Sequence, residues 1–196
     1  MDPLPAKRRL ARQDRNIQLM AAALEIVRSE GVAAVTLAKV AEKAGVTKPV
    51  AYDHFLTTDG LLVALYKTLD REQGDALRRA LADQPHDLTT AAERIAATYM
   101  HCCADTSGEW HAIAGALRGS PDMETAHREL ADDYVSLFVA GLGPHSRLPA
   151  DELRSRCIAL TGAAEALALQ MIRGSMTESA AAETLAAMTV ASLNVK

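Results

Sequence analysis

Aromatic residues are scarce in this chain, because Trp, Tyr and Phe together make up 4% of its 196 residues. Strands draw much of their packing from aromatic and β-branched side chains, so a fold built on a sheet is disfavoured. Alanine and leucine, both good helix formers, are abundant instead. We therefore expect an all-α fold, and the length allows either one domain or a small domain followed by a larger one.

Long apolar runs are also missing. No stretch approaches the ~20 apolar residues that a bilayer-spanning helix needs. The first residues, MDPLPAKRRLAR, do not contain the apolar segment of a signal peptide. We expect a cytoplasmic protein that has no membrane partner.

Cysteines are few and show no paired spacing, which fits a reducing compartment better than a disulfide framework. The groups that a metal or thiol sensor would use are His101, Cys102, Cys103, His111, His127 and Cys157. Adjacent cysteines on a helix point about 100° apart, so Cys102 and Cys103 make a poor chelating pair. Burial as small hydrophobic side chains is the favoured interpretation.

The sequence contains no glycine loop of the kind that cradles phosphate and no zincin helix. No cysteine stands in surroundings typical of an activated nucleophile. We expect no enzymatic activity, no cofactor and no metal. A thiol- or metal-sensing regulator and a small cysteine-dependent enzyme remain the alternatives.

The segment VTLAKVAEKAGVTKPVAYDHF, residues 35–55, has the pattern of two short helices joined by a glycine turn. Thr36 is placed to cap the first helix, and Gly45 ends it because glycine adopts positive φ without a clash. Thr47 is placed to cap the second helix, with Pro49 in its first turn. Apolar spacing buries one face of the pair through Leu37, Val40, Ala41, Val46, Ala51 and Phe55.

The other face of the second helix carries small, aromatic and hydrogen-bonding side chains: Lys48, Pro49, Val50, Tyr52 and His54. Such a face suits a helix that enters a DNA groove. A pair of surface helices exposed only to solvent is the alternative.

The same segment resembles the signature of the TetR family of bacterial transcription regulators. The matching elements are Gly31, Thr36, the Ala44-Gly45-Val46 turn, Tyr52, His54 and Phe55, followed by Asp59, Leu61 and Leu62. The resemblance covers about the first third of the chain. Two positions depart from it, because Thr58 replaces a lysine and Asp53 adds a negative charge to the second helix. Asp53 either accepts a hydrogen bond from a cytosine amino group or points to solvent or to a neighbouring lysine.

The resemblance implies a division of labour in binding double-stranded DNA. Lys48, Pro49 and Val50 are expected nearest the base edges, and Val50 and Ala38 are suited to meet a thymine methyl group. The residues expected to hold phosphates are Thr36, Thr47, Tyr52 and His54.

The net charge of −4 is unevenly distributed. Residues 1–60 contain nine Lys and Arg against seven Asp and Glu, whereas the remainder contains twelve against eighteen. The basic cluster at the amino end comprises Lys7, Arg8, Arg9, Arg12 and Arg15. It either lies along DNA phosphates or serves as a solubilising tail.

We predict two domains, a helix-turn-helix DNA-binding domain over residues 1–58 and a helical ligand-binding and dimerisation domain over residues 59–196. The first helix is expected over about 14–29, with a buried stripe of Ile17, Met20, Leu24 and Val27. The later helices are expected at about 59–82, 88–104, 109–118, 122–140, 150–173 and 178–193.

The last two predicted helices are apolar on two sides, so each needs two packing partners. The resemblance implies that one side forms a four-helix homodimer interface. The residues expected there are Ile158, Ala163, Ala166, Leu167, Met171, Leu185 and Met188. A helix fully buried within a monomer is the alternative.

Most aromatic and sulfur-containing side chains fall in the middle helices. In the family such residues line a small-molecule cavity, and here the set is Tyr66, Tyr99, Cys103, Trp110, Ile113, Leu117, Tyr134, Phe138 and Met171. An ordinary hydrophobic core is the alternative. The function expected from the resemblance is that of a dimeric repressor of a palindromic or pseudopalindromic operator, released by a small apolar or aromatic effector.

Overall fold

The structure, a computed structural model, describes residues 11–82, 85–105, 108–118 and 121–194. Within these ranges the chain forms α-helices and two single turns of 3₁₀ helix, at Val32–Ala34 and Gly143–His145, and no strand. The α-helices are α1 (Arg12–Glu30), α2 (Leu37–Lys43), α3 (Lys48–Phe55), α4 (Thr58–Leu81), α5 (Leu88–Asp105), α6 (Glu109–Leu117), α7 (Pro121–Leu142), α8 (Ala150–Ile172) and α9 (Glu178–Leu193). The predicted all-α class is confirmed. None of the described helices combines the length and the apolar character needed to cross a membrane.

The chain divides into two compact units. The first ends at Leu65 and the second begins at Tyr66, so α4 starts in one unit and ends in the other. Each unit contains its own set of buried side chains.

The turn between α2 and α3 is built by Gly45, which has a φ of 65°. The N–H of Val46 donates to the carbonyl of Ala41 over 2.9 Å, and the N–H of Gly45 donates to the carbonyl of Glu42 over 3.0 Å. These two bonds satisfy carbonyls that the end of α2 would leave open, in the pattern of a Schellman motif. Thr36 caps the other end of α2, because its hydroxyl accepts from the N–H of Lys39 at 3.2 Å.

The buried side chains of the first unit come from all of its helices. Those from α1, α2 and α3 are Leu19, Ala22, Ala23, Ile26, Val27, Leu37, Val40, Ala41, Ala51 and Phe55. The stripe predicted for α1 is wrong at Ile17, which is 55% exposed, and Met20 and Leu24 are only half-buried. Alanine explains the error, because Ala22 and Ala23 allow close helix packing and shift the buried face toward Leu19 and Ile26.

A tight turn connects α3 to α4. The N–H of Thr57 donates to the carbonyl of Phe55 over 2.6 Å, which closes a γ-turn around Leu56 at φ 60° and ψ −49°. This hand of the γ-turn is rare and strained for a residue with a Cβ atom. Gly60 allows the turn, since a Cβ there would lie 2.4 Å from the Phe55 carbonyl oxygen. Thr57 caps α4 by accepting from the N–H of Gly60 at 2.9 Å.

In the second unit α5 packs against α7, α8 and α9. Its buried face repeats every three or four residues through Ala91, Ala92, Ile95, Ala96, Tyr99, Met100 and Cys103. The apposed helix α9 buries Ala181, Leu185, Thr189 and Leu193. Small residues dominate both faces, so the two helix backbones approach closely.

Candidate nucleic-acid interface and interior polar cluster

The exposed side of α3 contains the residues predicted to contact DNA. Thr47, Lys48, Pro49 and Tyr52 are exposed, whereas Val50 and His54 are half-buried. On α2, Thr36 is exposed and Ala38 is half-buried. Ala51 and Phe55 anchor α3 from behind, so its outward side chains stand on a buried support.

The two threonines differ in what their hydroxyls do. The prediction that Thr36 caps α2 is confirmed, but Thr47 stands at the start of α3 with extended backbone and makes no capping hydrogen bond through its side chain. The N–H at the matching position of α3, that of Val50, donates to the backbone carbonyl of Thr47 over 3.0 Å instead. The Thr47 hydroxyl is therefore available to a phosphate oxygen.

The described lysines of the first unit differ in whether they form an ion pair. Lys39 pairs with Glu30, and Lys43 pairs with Glu25 over 2.7 Å. Lys48 has no ion pair with any described residue. The ammonium group of Lys48 is thus left without an ion-pair partner among these residues.

The basic cluster is described only in part. Lys7, Arg8 and Arg9 lie outside the described residues. The guanidinium of Arg12 reaches the backbone carbonyl of Asp53 at 3.5 Å, and that of Arg15 donates to Gln18. Arg12 is exposed and lies beside α3, where it adds positive charge to the same surface.

The side chains predicted to bind a ligand are brought together inside the second unit. Tyr66 stacks on Trp110 with ring centroids 5.4 Å apart, and Tyr134 meets Trp110 at 6.4 Å and Tyr99 at 5.9 Å. Phe138 lies edge-on to Tyr99 at 6.5 Å. Those that are buried are Tyr66, Tyr99, Cys103, Trp110, Ile113, Leu117, Tyr134 and Phe138, while Met171 is half-buried.

Two buried polar residues of α4 adjoin this aromatic cluster, and the sequence analysis missed both. Asp70 and Gln73 are each 6% exposed. Among the described residues, Asp70 Oδ1 and Gln73 Nε2 have no hydrogen-bond partner. Gln73 Oε1 accepts from the hydroxyl of Tyr134 at 2.8 Å. The signal was present in the sequence, since both residues interrupt the apolar stripe of Leu62, Leu65, Leu69 and Leu77.

Further unpartnered polar atoms lie on α6. The indole Nε1 of Trp110 and both ring nitrogens of His111 are buried and form no hydrogen bond with the described residues. The backbone carbonyl of Glu165 is near the His111 ring, but not in the geometry of a hydrogen bond. Burial lowers the pKa of His111, against the opposing effect of the Glu165 carboxylate, so the neutral ring is favoured.

A cavity of about 470 Å³ lies between α4 and α7. Asp70 and Tyr134 are among its lining residues, together with Lys67, Arg71, Gly74, Asp75, Arg78, Glu129, Leu130, Asp133 and Leu137. Burial raises the pKa of Asp70 to about 7, and Asp133 adds to the effect while Arg78 opposes it. Tyr134 is the predicted ligand-binding residue that reaches this cavity.

The cysteines are thiols, not joined in a disulfide among the described residues, and their pKa values are raised. Burial raises the pKa of Cys103 to about 12 and that of Cys157 to about 11, and it also raises the pKa of the half-buried Cys102. Thiols of this kind are poor nucleophiles near neutral pH, which disfavours the thiol-sensing and cysteine-enzyme alternatives. No group of three or more His, Cys, Asp and Glu side chains in the described parts of the chain is arranged to hold a metal ion. The side chain of His127 lies outside the described residues.

The residues predicted for a dimer interface have different exposures. Ile158 and Met188 are large apolar side chains that are 53% and 45% exposed, and Ala166 is exposed as well. The half-buried residues of the set are Ala163, Leu167 and Met171, which pack against the core of their own chain. The prediction is wrong at Leu185, because this side chain is fully buried in that core and has no surface to offer a partner.

Fold and surface together define an all-helical protein whose first unit presents a helix-turn-helix. Residues 19–65 match the family model described as bacterial regulatory proteins, tetR family. This match lies in the first unit and includes α2 and α3.

Proteins of known sequence or structure are similar to larger parts of the chain. The chain is 27% identical over 142 residues to the HTH-type transcriptional regulator EthR of Mycobacterium tuberculosis, a match that covers 70% of this chain and 63% of EthR. The solved structure of a transcriptional regulator from Rhodococcus sp. Rha1 aligns with a TM-score of 0.78 at 18% identity, covering 92% of this chain and 98% of the other. A TetR-like transcriptional regulator from Rhodococcus sp. RHA1 aligns with a TM-score of 0.72 at 23% identity, covering 96% and 100%.

Proposed function

We propose that this protein is a dimeric transcriptional repressor that binds operator DNA through α3 and is released by a small molecule bound in the second unit. The observation that carries the proposal is the outward face of α3. It offers an unpaired lysine, a free threonine hydroxyl and an exposed tyrosine on a buried support.

The chemistry of that face fits duplex DNA. The ammonium of Lys48 can reach the guanine acceptors of the major groove, and the methyl groups of Val50 can contact thymine. Thr36, Thr47 and Tyr52 supply hydroxyl groups to phosphates, which position the helix without reading sequence. Arg12, Lys48 and the helix amino end add positive charge where the phosphates would lie.

A second copy of the chain is the partner that we propose for α8 and α9. The exposed residues of α8 include Ile158, Ala159, Gly162 and Ala166, which form a smooth apolar stripe without charge. Met188, Ala187 and Ala191 are exposed on α9. Small residues let two helix pairs approach closely, and a twofold axis gives two copies of α3 that read two half-sites spaced by ~34 to 36 Å or a multiple of it.

Control by a ligand follows from differential binding. An effector that prefers one conformation of the second unit, while DNA prefers another, shifts the population away from DNA binding. The aromatic cluster and the unpartnered polar atoms near it are the groups available to such a molecule.

Selection from a pool of random duplexes tests the proposal. The wild-type protein is expected to enrich an inverted repeat at moderate salt. Lys48→Met and Val50→Ala should change which bases are enriched, whereas Tyr52→Ala should weaken binding to every sequence alike. Enrichment of no sequence, or of a sequence without twofold symmetry, would refute the proposed function in this form.

A further inference from the structure

Two side chains on α4 are buried without their full complement of hydrogen bonds. Asp70 and Gln73 stand three residues apart, so their side chains occupy neighbouring turns on one side of the helix. Within the described chain, Asp70 Oδ1 has no donor and Gln73 Nε2 has no acceptor. Buried polar groups without partners are costly, and a native protein retains them where something else supplies the partner.

The missing hydrogen-bond partner has room to approach Asp70. Asp70 lies in the wall of the 470 Å³ cavity between α4 and α7, which has the size of a small-molecule site. Tyr134 lies in the same wall and holds Gln73 through its hydroxyl. Leu130 and Leu137 add an apolar strip from α7.

The side chains that line the cavity have both signs of charge: four carboxyl groups, of Asp70, Asp75, Glu129 and Asp133, and three basic groups, of Lys67, Arg71 and Arg78. Arg78 is paired with Asp75 over 2.8 Å. Glu129, Asp133, Lys67 and Arg71 are all exposed, and neither Lys67 nor Arg71 forms an ion pair with Asp70. Asp70 is the buried carboxyl group of this lining, so a cation is favoured beside it.

We propose that this cavity binds an organic cation, a protonated amine on an aromatic or apolar body, whose ammonium group donates to Asp70 Oδ1. Tyr134 presents its ring to the charge, a favourable contact for a desolvated cation. Leu130 and Leu137 contact the apolar body. The claim that this cation is also the effector rests on the proposed function. The claim that the cavity binds a cation does not depend on it.

A neutral or anionic ligand fits less well. An anion would meet the carboxylates of Asp70, Glu129 and Asp133. A neutral hydroxyl would satisfy Oδ1 only as a hydrogen-bond donor, without compensating a buried negative charge. Burial raises the pKa of Asp70 although Arg78 opposes the effect, and a bound ammonium would lower this pKa again.

The test uses the free protein and a matched pair of probes, 4-phenylbutylamine and 4-phenylbutan-1-ol, which have the same length but differ in charge. Trp110 is the single tryptophan of the chain and lies 6.4 Å from Tyr134, so its fluorescence reports occupancy. We expect the amine to bind at least tenfold more tightly than the alcohol at pH 8. Asp70→Asn should abolish this preference, and circular dichroism should show that the variant is folded.

Glu72→Gln is the matched control, because it removes an exposed carboxylate from α4 that does not line the cavity. It should leave the preference for the amine intact. Equal affinity for both probes in the wild type, or a preference that Asp70→Asn retains, would overturn the proposal. So would a preference lost in Glu72→Gln but not in Asp70→Asn.

A second measurement uses the wild type alone. Amine affinity should rise roughly tenfold from pH 6 to pH 8 as Asp70 ionises. The other titratable and charged groups facing Asp70 are Tyr66, Lys67, Arg71, Asp75 and Arg78 of α4, Glu129, Asp133 and Tyr134 of α7, and Tyr99 of α5. Burial raises the pKa of all three tyrosines above the ordinary range, so none of them titrates in this window. A flat profile would contradict the role of Asp70. The assay contains no DNA, so it reports on the cavity whether or not the protein binds an operator.

Discussion

The hydroxyl of Tyr134 donates a hydrogen bond of 2.8 Å to Oε1 of Gln73, which joins α7 to α4 inside the second unit. Both residues are nearly inaccessible to solvent. A bond in that setting is expected to matter for stability, because water cannot replace it when one partner is removed.

Tyr134→Phe should therefore destabilise the protein by about 1 to 2 kcal/mol, since it keeps the ring but leaves both polar atoms of the Gln73 amide unpartnered. Urea unfolding followed by circular dichroism measures the change. Tyr52→Phe removes the same hydroxyl from an exposed tyrosine and should change stability by less than about 0.5 kcal/mol. An equal effect of the two substitutions would show that the buried bond contributes nothing specific.

Asp70 should give stability a measurable pH dependence. Its pKa is raised from 3.8 to about 7 on folding, so the folded protein holds more protons than the unfolded chain between these values. Its contribution is therefore most favourable below about pH 4 and becomes less favourable as the pH rises to about 7. The stability of the wild type relative to Asp70→Asn should fall by about 1 to 3 kcal/mol over that range. A constant difference would mean that Asp70 titrates normally.

Leu56→Gly should stabilise the turn between α3 and α4. Leu56 is 79% exposed, so its side chain loses little packing, and glycine adopts its positive φ without strain. The expected gain is about 1 kcal/mol, reduced by the greater freedom of glycine in the unfolded chain. Thermal unfolding checks this, and a lower midpoint would show that the leucine side chain has a contact that matters more than the strain.

Ile158→Arg should convert the proposed dimer to a monomer of 20.9 kDa, because it places a charge on the exposed stripe of α8. Sedimentation velocity gives the mass directly. Ile17→Arg is the matched control, since it makes the same change at an exposed isoleucine of the first unit. The proposed interface fails if Ile158→Arg still sediments as a dimer. Leu167 and Met171 are less suitable positions, because they pack against the core.

The helices could be predicted closely from the sequence because helix-breaking and helix-capping residues mark their ends. Thr36, Gly45 and Gly174 mark helix ends, and α5, α8 and α9 begin and end within about a residue of their expected positions. Local chemistry decides these boundaries, so no knowledge of the packing is needed.

The buried faces of alanine-rich helices were harder to predict. α9 has alanine or another apolar residue on every side, so periodicity did not distinguish the buried Leu185 from the exposed Met188. Asp70 and Gln73 were missed for the opposite reason. Their polar character was visible within an apolar stripe, but their significance depends on α7, which lies sixty residues further along the chain.

The central claim is that the outward face of α3 binds duplex DNA. The most direct measurement is fluorescence anisotropy of a labelled operator duplex, titrated with wild type, Lys48→Ala and Lys67→Ala at several salt concentrations. Lys67 is an exposed lysine of the second unit and serves as the control. We predict that Lys48→Ala loses at least tenfold in affinity for the operator at each salt concentration, whereas Lys67→Ala binds like the wild type. Equal affinity of all three proteins would contradict the claim.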